Sequence, residues 1–114
     1  METKRQLKIS RLLLRDLSEI ITQEVPGLAV GAMITVTKVN VAPDLSFAKV
    51  YLSIFGKDDK ASVVEKVNLR SREIRGLLGQ RVRHQLRVVP QLRFYEDDSL
   101  DYIDNLDNLL NEDQ

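Results

Sequence analysis

The sequence predicts an α+β fold in which helices pack on one face of a small mixed sheet, in the order α-β-β-α(α)-β-α. Three observations carry this. Helical apolar spacing fills the first 25 residues and returns from Ala61 to Val89. Between these lie two runs that alternate with a period of two, MITVTKVNV and SFAKVYLSIF. A short strand pattern, LRFYE, follows the second helical stretch. At 114 residues the chain is expected to form a single domain, 1–114, with a core that needs no covalent staples.

Each element has a local cause. Thr3 and Gln6 fit a capping box, and the stripe Ile9, Leu13, Leu17 and Ile20 follows, widened by Leu14 and Ile21. Pro26-Gly27 ends this helix. At about 100° per residue, Lys4, Lys8, Arg11 and Arg15 gather opposite the stripe, diluted only at the far end by Glu19. In the second alternating run Ala48, Val50, Leu52 and Ile54 share one face, and Phe47, Lys49, Tyr51 and Ser53 the other. The first run changes phase near Lys38, where Ile34 and Val36 give way to Val39 and Val41, so a bulge is expected there. Pro43 and Asp44 supply the turn, and GKDDK is a polar loop.

The second helical stripe is Val64, Val67, Ser71, Ile74, Leu78 and Val82, closed off at Val89-Pro90. Ser99 can cap a last helix carrying Leu100, Ile103, Leu106 and Leu110. Residues 98–114 thus read as an acidic C-terminal helix and tail. No internal repeat or low-complexity linker interrupts the chain.

Charge is segregated although the net charge is zero. Residues 1–93 hold all 17 Lys and Arg against 9 Asp and Glu, a balance of +8. Residues 94–114 hold 8 acidic residues and no basic one. A basic body with an acidic tail suits a polyanion binder, and it also suits a merely soluble surface. The tail could shield the body from wrong polyanion contacts. Its apolar stripe could dock on this chain or on a partner.

Other chemistries have little to build on. There is no Cys, so neither a disulfide framework nor a thiolate metal site is available. His84 is the only histidine and lacks the partners of a general base, which points to a surface or RNA-facing position. The run EDDSLDYIDNLD lacks the glycine turn and closing Glu of a calcium loop, and Asp97, Asp98 and Asp101 suit a helix N-terminus. No catalytic residue, metal or cofactor is expected. METKRQLKIS carries no signal-peptide pattern, no membrane span is expected, and a reducing cytoplasm is the expected location.

The four residues GLLG, Gly76 to Gly79, spell GxxG, the loop with which KH domains clamp a nucleic-acid backbone. A clamp loop leaves the helix and exposes its two central residues. Here these are Leu77 and Leu78, Leu78 lies on the apolar stripe, and the helical phase runs through both glycines. GLLG therefore reads as helix interior. Arg72, Gly76, Gly79 and Arg83 fall within roughly 60° of one another on the wheel, flanked by Arg75 and Arg87. Such a strip could let a sugar-phosphate backbone approach while guanidinium groups reach its oxygens. Alternatively the glycines make room for another helix of the same protein.

Two runs carry a resemblance to a known family. VTKVNVAPDLSFAKVYLSIFG contains the Asp44-Leu45-Ser46 turn and the Ala48-Lys49-Val50-Tyr51 strand. IRGLLGQRVRHQLRVVPQLRFYEDDSLD contains an Ile-Arg-x-x-Leu-Gly segment, an Arg-x-x-Pro-x-Leu-x-Phe strand entry and Asp-Asp-Ser-Leu. In this order and spacing the chain resembles, over nearly its whole length, the ribosome-binding factor A family of bacterial small-subunit maturation factors. The resemblance implies a type II KH-like fold without the clamp loop: a three-stranded mixed sheet, order α-β-β-α(kinked)-β, plus a short C-terminal helix. In the family the second helix breaks at an Ala-x-Gly kink, which falls here on Arg70, Ser71 and Arg72. Neither Ala nor Gly is present, which leaves the kink geometry open. Ser71 could hold it by bonding to nearby backbone.

The resemblance further implies a non-catalytic factor that binds the immature 30S subunit and its 16S rRNA, aids 5′-end processing and matters in the cold. Ribosomal proteins and a maturation GTPase are further partners to expect, and the chain is expected to act as a monomer. The candidate RNA-binding residues are Lys4, Lys8, Arg11, Arg15, Arg70, Arg72, Arg75, Arg83 and Arg87. Two rivals stand beside this. One is a KH-like module that binds ribosomal protein without touching RNA. The other is a general single-strand binder, which the 5% aromatic content and lack of Trp disfavour. Phe47 and Tyr51, with Lys49 on the same strand face, are either packed or free to stack on bases.

Overall fold

The structure, a computed structural model, describes residues 2–25, 32–56 and 59–97. Helix α1 spans Lys4–Glu19. Thr3 caps it as expected: the Thr3 hydroxyl accepts from the Gln6 amide at 3.1 Å, and the Gln6 carboxamide accepts from the Thr3 amide at 2.9 Å. Gln6 does a second job. Its side chain is buried, and its Nε2 donates to the Val41 carbonyl at 2.9 Å, tying the helix start to the sheet. A π-helical turn at Ile20–Glu24 extends the helix and keeps Ile20 and Ile21 inside. Val25 then leaves the helical region, with φ −120° and ψ 85°, as a residue before proline tends to.

Strands β1 (Ala32–Val41) and β2 (Phe47–Gly56) form an antiparallel hairpin. Their register shifts between Val36 and Lys38, so Thr37 is the extra residue of a bulge. Thr37 and Lys38 both face solvent, and Ile34, Val36, Val39 and Val41 all face the core. Strand β3 (Gln91–Glu96) pairs in parallel with β2, giving the order β1-β2-β3. A parallel neighbour needs a crossover, and helices α2 (Lys60–Leu69) and α3 (Ser71–Val82) supply it. Asp59 caps α2 by accepting from the Ala61 amide.

All three helices cover the same sheet face. Leu13, Leu17 and Ile20 meet Leu52, Ile74, Leu78 and Phe94 in one fully buried core, each side chain stabilising the fold by about 1.5–3 kcal/mol. This is the α+β, type II KH-like arrangement. The opposite face of the sheet carries no helix among the described residues.

Two details differ from the sequence-based expectation. The inward residue in the first turns of α2 is Val63, with Val64 only half-buried. Helical structure ends at Val82, well short of Val89: the Gln85 and Leu86 amides both donate to the Val82 carbonyl at 2.8 Å, and Leu86 folds back into the core. The β-branched pair Val88-Val89 before Pro90 disfavours further helix. The expected C-terminal helix and the acidic segment 98–114 lie outside the described residues, as do Pro26-Gly27 and the Lys57-Asp58 part of the polar loop.

Candidate nucleic-acid interface

The ridge on α1 is built by its helical period. Because Ile9, Leu13 and Leu17 pin one side to the sheet, Lys4, Lys8, Arg11 and Arg15 are forced outward, and all four are exposed. Eleven residues of rise set its length at about 16 Å. Among the described residues no carboxylate pairs with Lys4, Lys8 or Arg11, while Arg15 Nε lies 3.6 Å from Asp16 Oδ1. Glu19 does not oppose the ridge. It turns to α3, where Arg81 binds it together with Asp16 at 3.5 Å and Glu24 at 3.4 Å. The Arg81 pKa is accordingly pushed up, chiefly by the hydrogen bond to Glu19.

Beside the ridge runs a groove of about 530 Å³ lined by Arg5, Lys8, Ile9 and Leu12 of α1 and by Gln85 and Leu86. A second depression, about 320 Å³, shares Arg5 and Leu86 and adds Arg87, Val88 and the Asp44–Ser46 turn. Arg5 thus joins the two. Sequence reasoning passed over it because on the wheel it falls between the basic ridge and the apolar stripe; its spacing of three from Lys8 and seven from Leu12 was the available signal. The turn is held by Asp44, whose Oδ1 accepts from the Ser46 hydroxyl at 2.7 Å and the Ser46 amide at 3.1 Å. These bonds, the hydroxyl's first, hold the Asp44 carboxyl below the usual range. Leu45 adopts φ 63° to complete the turn.

The arginines expected around GLLG separate into four groups. Arg72 and Arg83 are exposed, with Arg83 Nε 3.4 Å from His84 Nε2. Arg75 is committed to the fold: its Nε donates to the Pro90 carbonyl at 3.1 Å and its Nη2 to the Val89 carbonyl at 2.6 Å. Arg70 is half-buried and forks onto the Glu73 carboxylate at 3.0 and 3.1 Å. Arg87 is not on the helix at all, because α3 has already ended; it joins the α1 groove instead. GLLG lies within α3, and Leu78 is fully buried. A Cβ on Gly76 would meet nothing within 4 Å, and one on Gly79 would meet only Val89 Cγ2 at 3.4 Å. Neither glycine makes room for another helix among the described residues.

Helical structure breaks between α2 and α3 at Arg70, with φ −103° and ψ 14°. This bridge-region conformation is open to any residue, so no glycine is required. The Arg70 amide is shared between the Lys66 and Val67 carbonyls at 3.3 and 3.1 Å. Arg70 stands at the N-cap of α3 without a side-chain capping bond. Among the described residues no group of His, Asp and Glu could hold a metal ion, and no helix is long and apolar enough to cross a membrane.

Comparison with known proteins adds an independent line. Residues 5–110 match the family described as Ribosome-binding factor A. A ribosome-binding factor A of Flavobacterium johnsoniae is 47% identical over 111 residues, covering 96% of this chain and 85% of its own. The crystal structure of ribosome-binding factor A from Thermus thermophilus superimposes with a TM-score of 0.64 at 25% identity, covering 80% of this chain and 94% of that one. Coordinates of the Thermus factor fitted into a cryo-EM map of its complex with the 30S subunit give a TM-score of 0.63 at 26% identity, over 78% and 91% of the two chains.

Proposed function

The chain belongs to the ribosome-binding factor A family, and we propose that it is a maturation factor that binds the small (30S) ribosomal subunit through 16S rRNA. The carrying observation is the exposed ridge Lys4, Lys8, Arg11 and Arg15, extended by Arg5 and Arg87 across the adjoining groove. Such a convex cationic helix can lie along structured RNA and bond phosphate and sugar oxygens without reading sequence. Arg72 in the first turn of α3 and Arg83 just past its end offer two further exposed cations. The mechanism is occupancy: the domain holds one RNA conformation, during late maturation that includes 5′-end processing, and then leaves. No bond is made or broken by the protein. The demand for such a factor is greatest in the cold, when misfolded RNA escapes slowly.

Co-sedimentation with purified small subunits over a range of salt concentrations tests this. Binding of the wild type falls steeply with salt. Lys8→Glu/Arg11→Glu reduces affinity by tenfold or more and lowers the slope of log K against log salt by about 1 for every phosphate no longer neutralised. Arg72→Glu/Arg83→Glu, measured in parallel, separates the α3 contribution. Undiminished binding by the α1 double variant would exclude the ridge as the contact. Salt-insensitive binding would favour docking on ribosomal protein.

A further inference from the structure

The sheet face turned away from the helices holds an ordered array that the α1 ridge does not use. Strand register places Asn40, Lys49 and Arg93 in one row across all three strands, and Lys38, Tyr51 and Tyr95 in the next. Successive rows on one face of a sheet lie about 7 Å apart, two residues of rise. The Tyr51 and Tyr95 rings are 5.7 Å apart and inclined by 30°, and the Arg93 guanidinium lies 5.9 Å from the Tyr95 ring centre. Lys38, Lys49 and Arg93 are exposed, and among the described residues no carboxylate pairs with them. Asp97 stands at the end of this face, where it accepts from the Thr37 hydroxyl at 2.6 Å.

We propose that this face is a second RNA site, which holds two neighbouring unpaired nucleotides with their bases on Tyr51 and Tyr95 and their phosphates against Lys38, Lys49 and Arg93. The argument is complementarity in both chemistry and spacing. Aromatic rings accept any base by stacking, and flanking cations neutralise the backbone. A sheet that presents adjacent rings from neighbouring strands is a known platform for splayed bases. Two rings cannot carry a long strand, which agrees with the low aromatic content of the chain. Duplex RNA is excluded from this site because its bases are stacked within the helix. Since α1 covers the other face of the sheet, the two sites can engage different RNA segments at once. This site stands independently of the ridge.

The test is titration of the full chain with a short single-stranded oligoadenylate and, separately, with an RNA duplex, by fluorescence anisotropy and by NMR of the tyrosine rings. Oligoadenylate shifts the Tyr51 and Tyr95 resonances. Tyr51→Leu/Tyr95→Leu weakens oligoadenylate binding about tenfold or more and leaves duplex binding unchanged, whereas Lys8→Glu/Arg11→Glu weakens duplex binding and spares the ring response. The wild-type ring shifts keep the test valid should the leucine variant fail to fold. Unchanged rings on titration would overturn the site. Contacts from those rings to Leu100, Ile103, Leu106 or Leu110 in the RNA-free chain, persisting with oligoadenylate present, would also overturn it and give the face to the acidic C-terminal segment.

Discussion

Asn68 acts as a surrogate strand. Its Nδ2 donates to the Phe94 carbonyl and its Oδ1 accepts from the Phe94 amide, both at 2.9 Å, on the side of β3 that faces away from β2. Asn68→Ala leaves both backbone groups half-buried without partners and is expected to cost about 1–3 kcal/mol, read from urea unfolding. It also frees an edge on which another chain could pair, so light scattering on warming should reveal earlier association than in the wild type. Asp44 provides a pH dependence. Its carboxyl sits below the ordinary value of about 3.9, so the turn's contribution is complete above that value and is lost as pH falls through the lowered one. Carbon NMR of the Asp44 carboxyl checks this, and Ser46→Ala should move its midpoint back toward the ordinary value. At this scale the sequence was only partly legible. That Asp44 makes a turn followed from its short acceptor side chain and the neighbouring Pro43. That Arg75 spends its donors on the Val89 and Pro90 carbonyls did not, because a wheel gives a direction and not what lies there.

Helix α3 carries an avoidable local weakness. Gly76 lies in the helix interior with open space where a Cβ would stand. Gly76→Ala is therefore expected to stabilise the protein by about 1 kcal/mol, seen as a raised denaturant midpoint. The same variant judges the notion that a bare strip admits a sugar-phosphate backbone: unchanged small-subunit affinity would remove that role from Gly76. Elements were the most legible part of the chain. The capping box, the α1 stripe, the alternation in β2 and the phase change near Lys38 each rest on spacing, which the backbone enforces locally. The end of α3 was hidden because apolar residues continue past Val82. Leu86 and Val89 pack against the core from an irregular segment, so apolar spacing alone could not tell a helix from a folded-back chain.

For the whole molecule, the helices and the sheet divide the labour. One sheet face is spent on the core, which leaves the outer side of α1 and the sheet face that carries no helix among the described residues as two separate surfaces. The basic body was visible from counting charges and the α1 ridge from its helical period, but the placement of the other arginines was not. Arg87 meets Arg5 only because the chain doubles back after Val82, and Tyr95 meets Tyr51 only because β3 joins β2 in parallel. Neither pairing is local in sequence, and pattern reasoning reaches only as far as one element. The family likeness supplied the topology that patterns could not.

The bulge at Thr37 makes β1 one residue longer than its partner needs, and this bears on which changes of chain length the domain can absorb. A chain lacking Thr37 would keep Ile34, Val36, Val39 and Val41 inward with regular alternation, and would lose only a bend and the hydroxyl that Asp97 grips. Insertion of a residue elsewhere in the strand has no such refuge, since everything beyond it would turn over. Shortening at Thr37 is thus a drift the fold tolerates, and its first effect would fall on the anchor that fixes where the chain departs from β3.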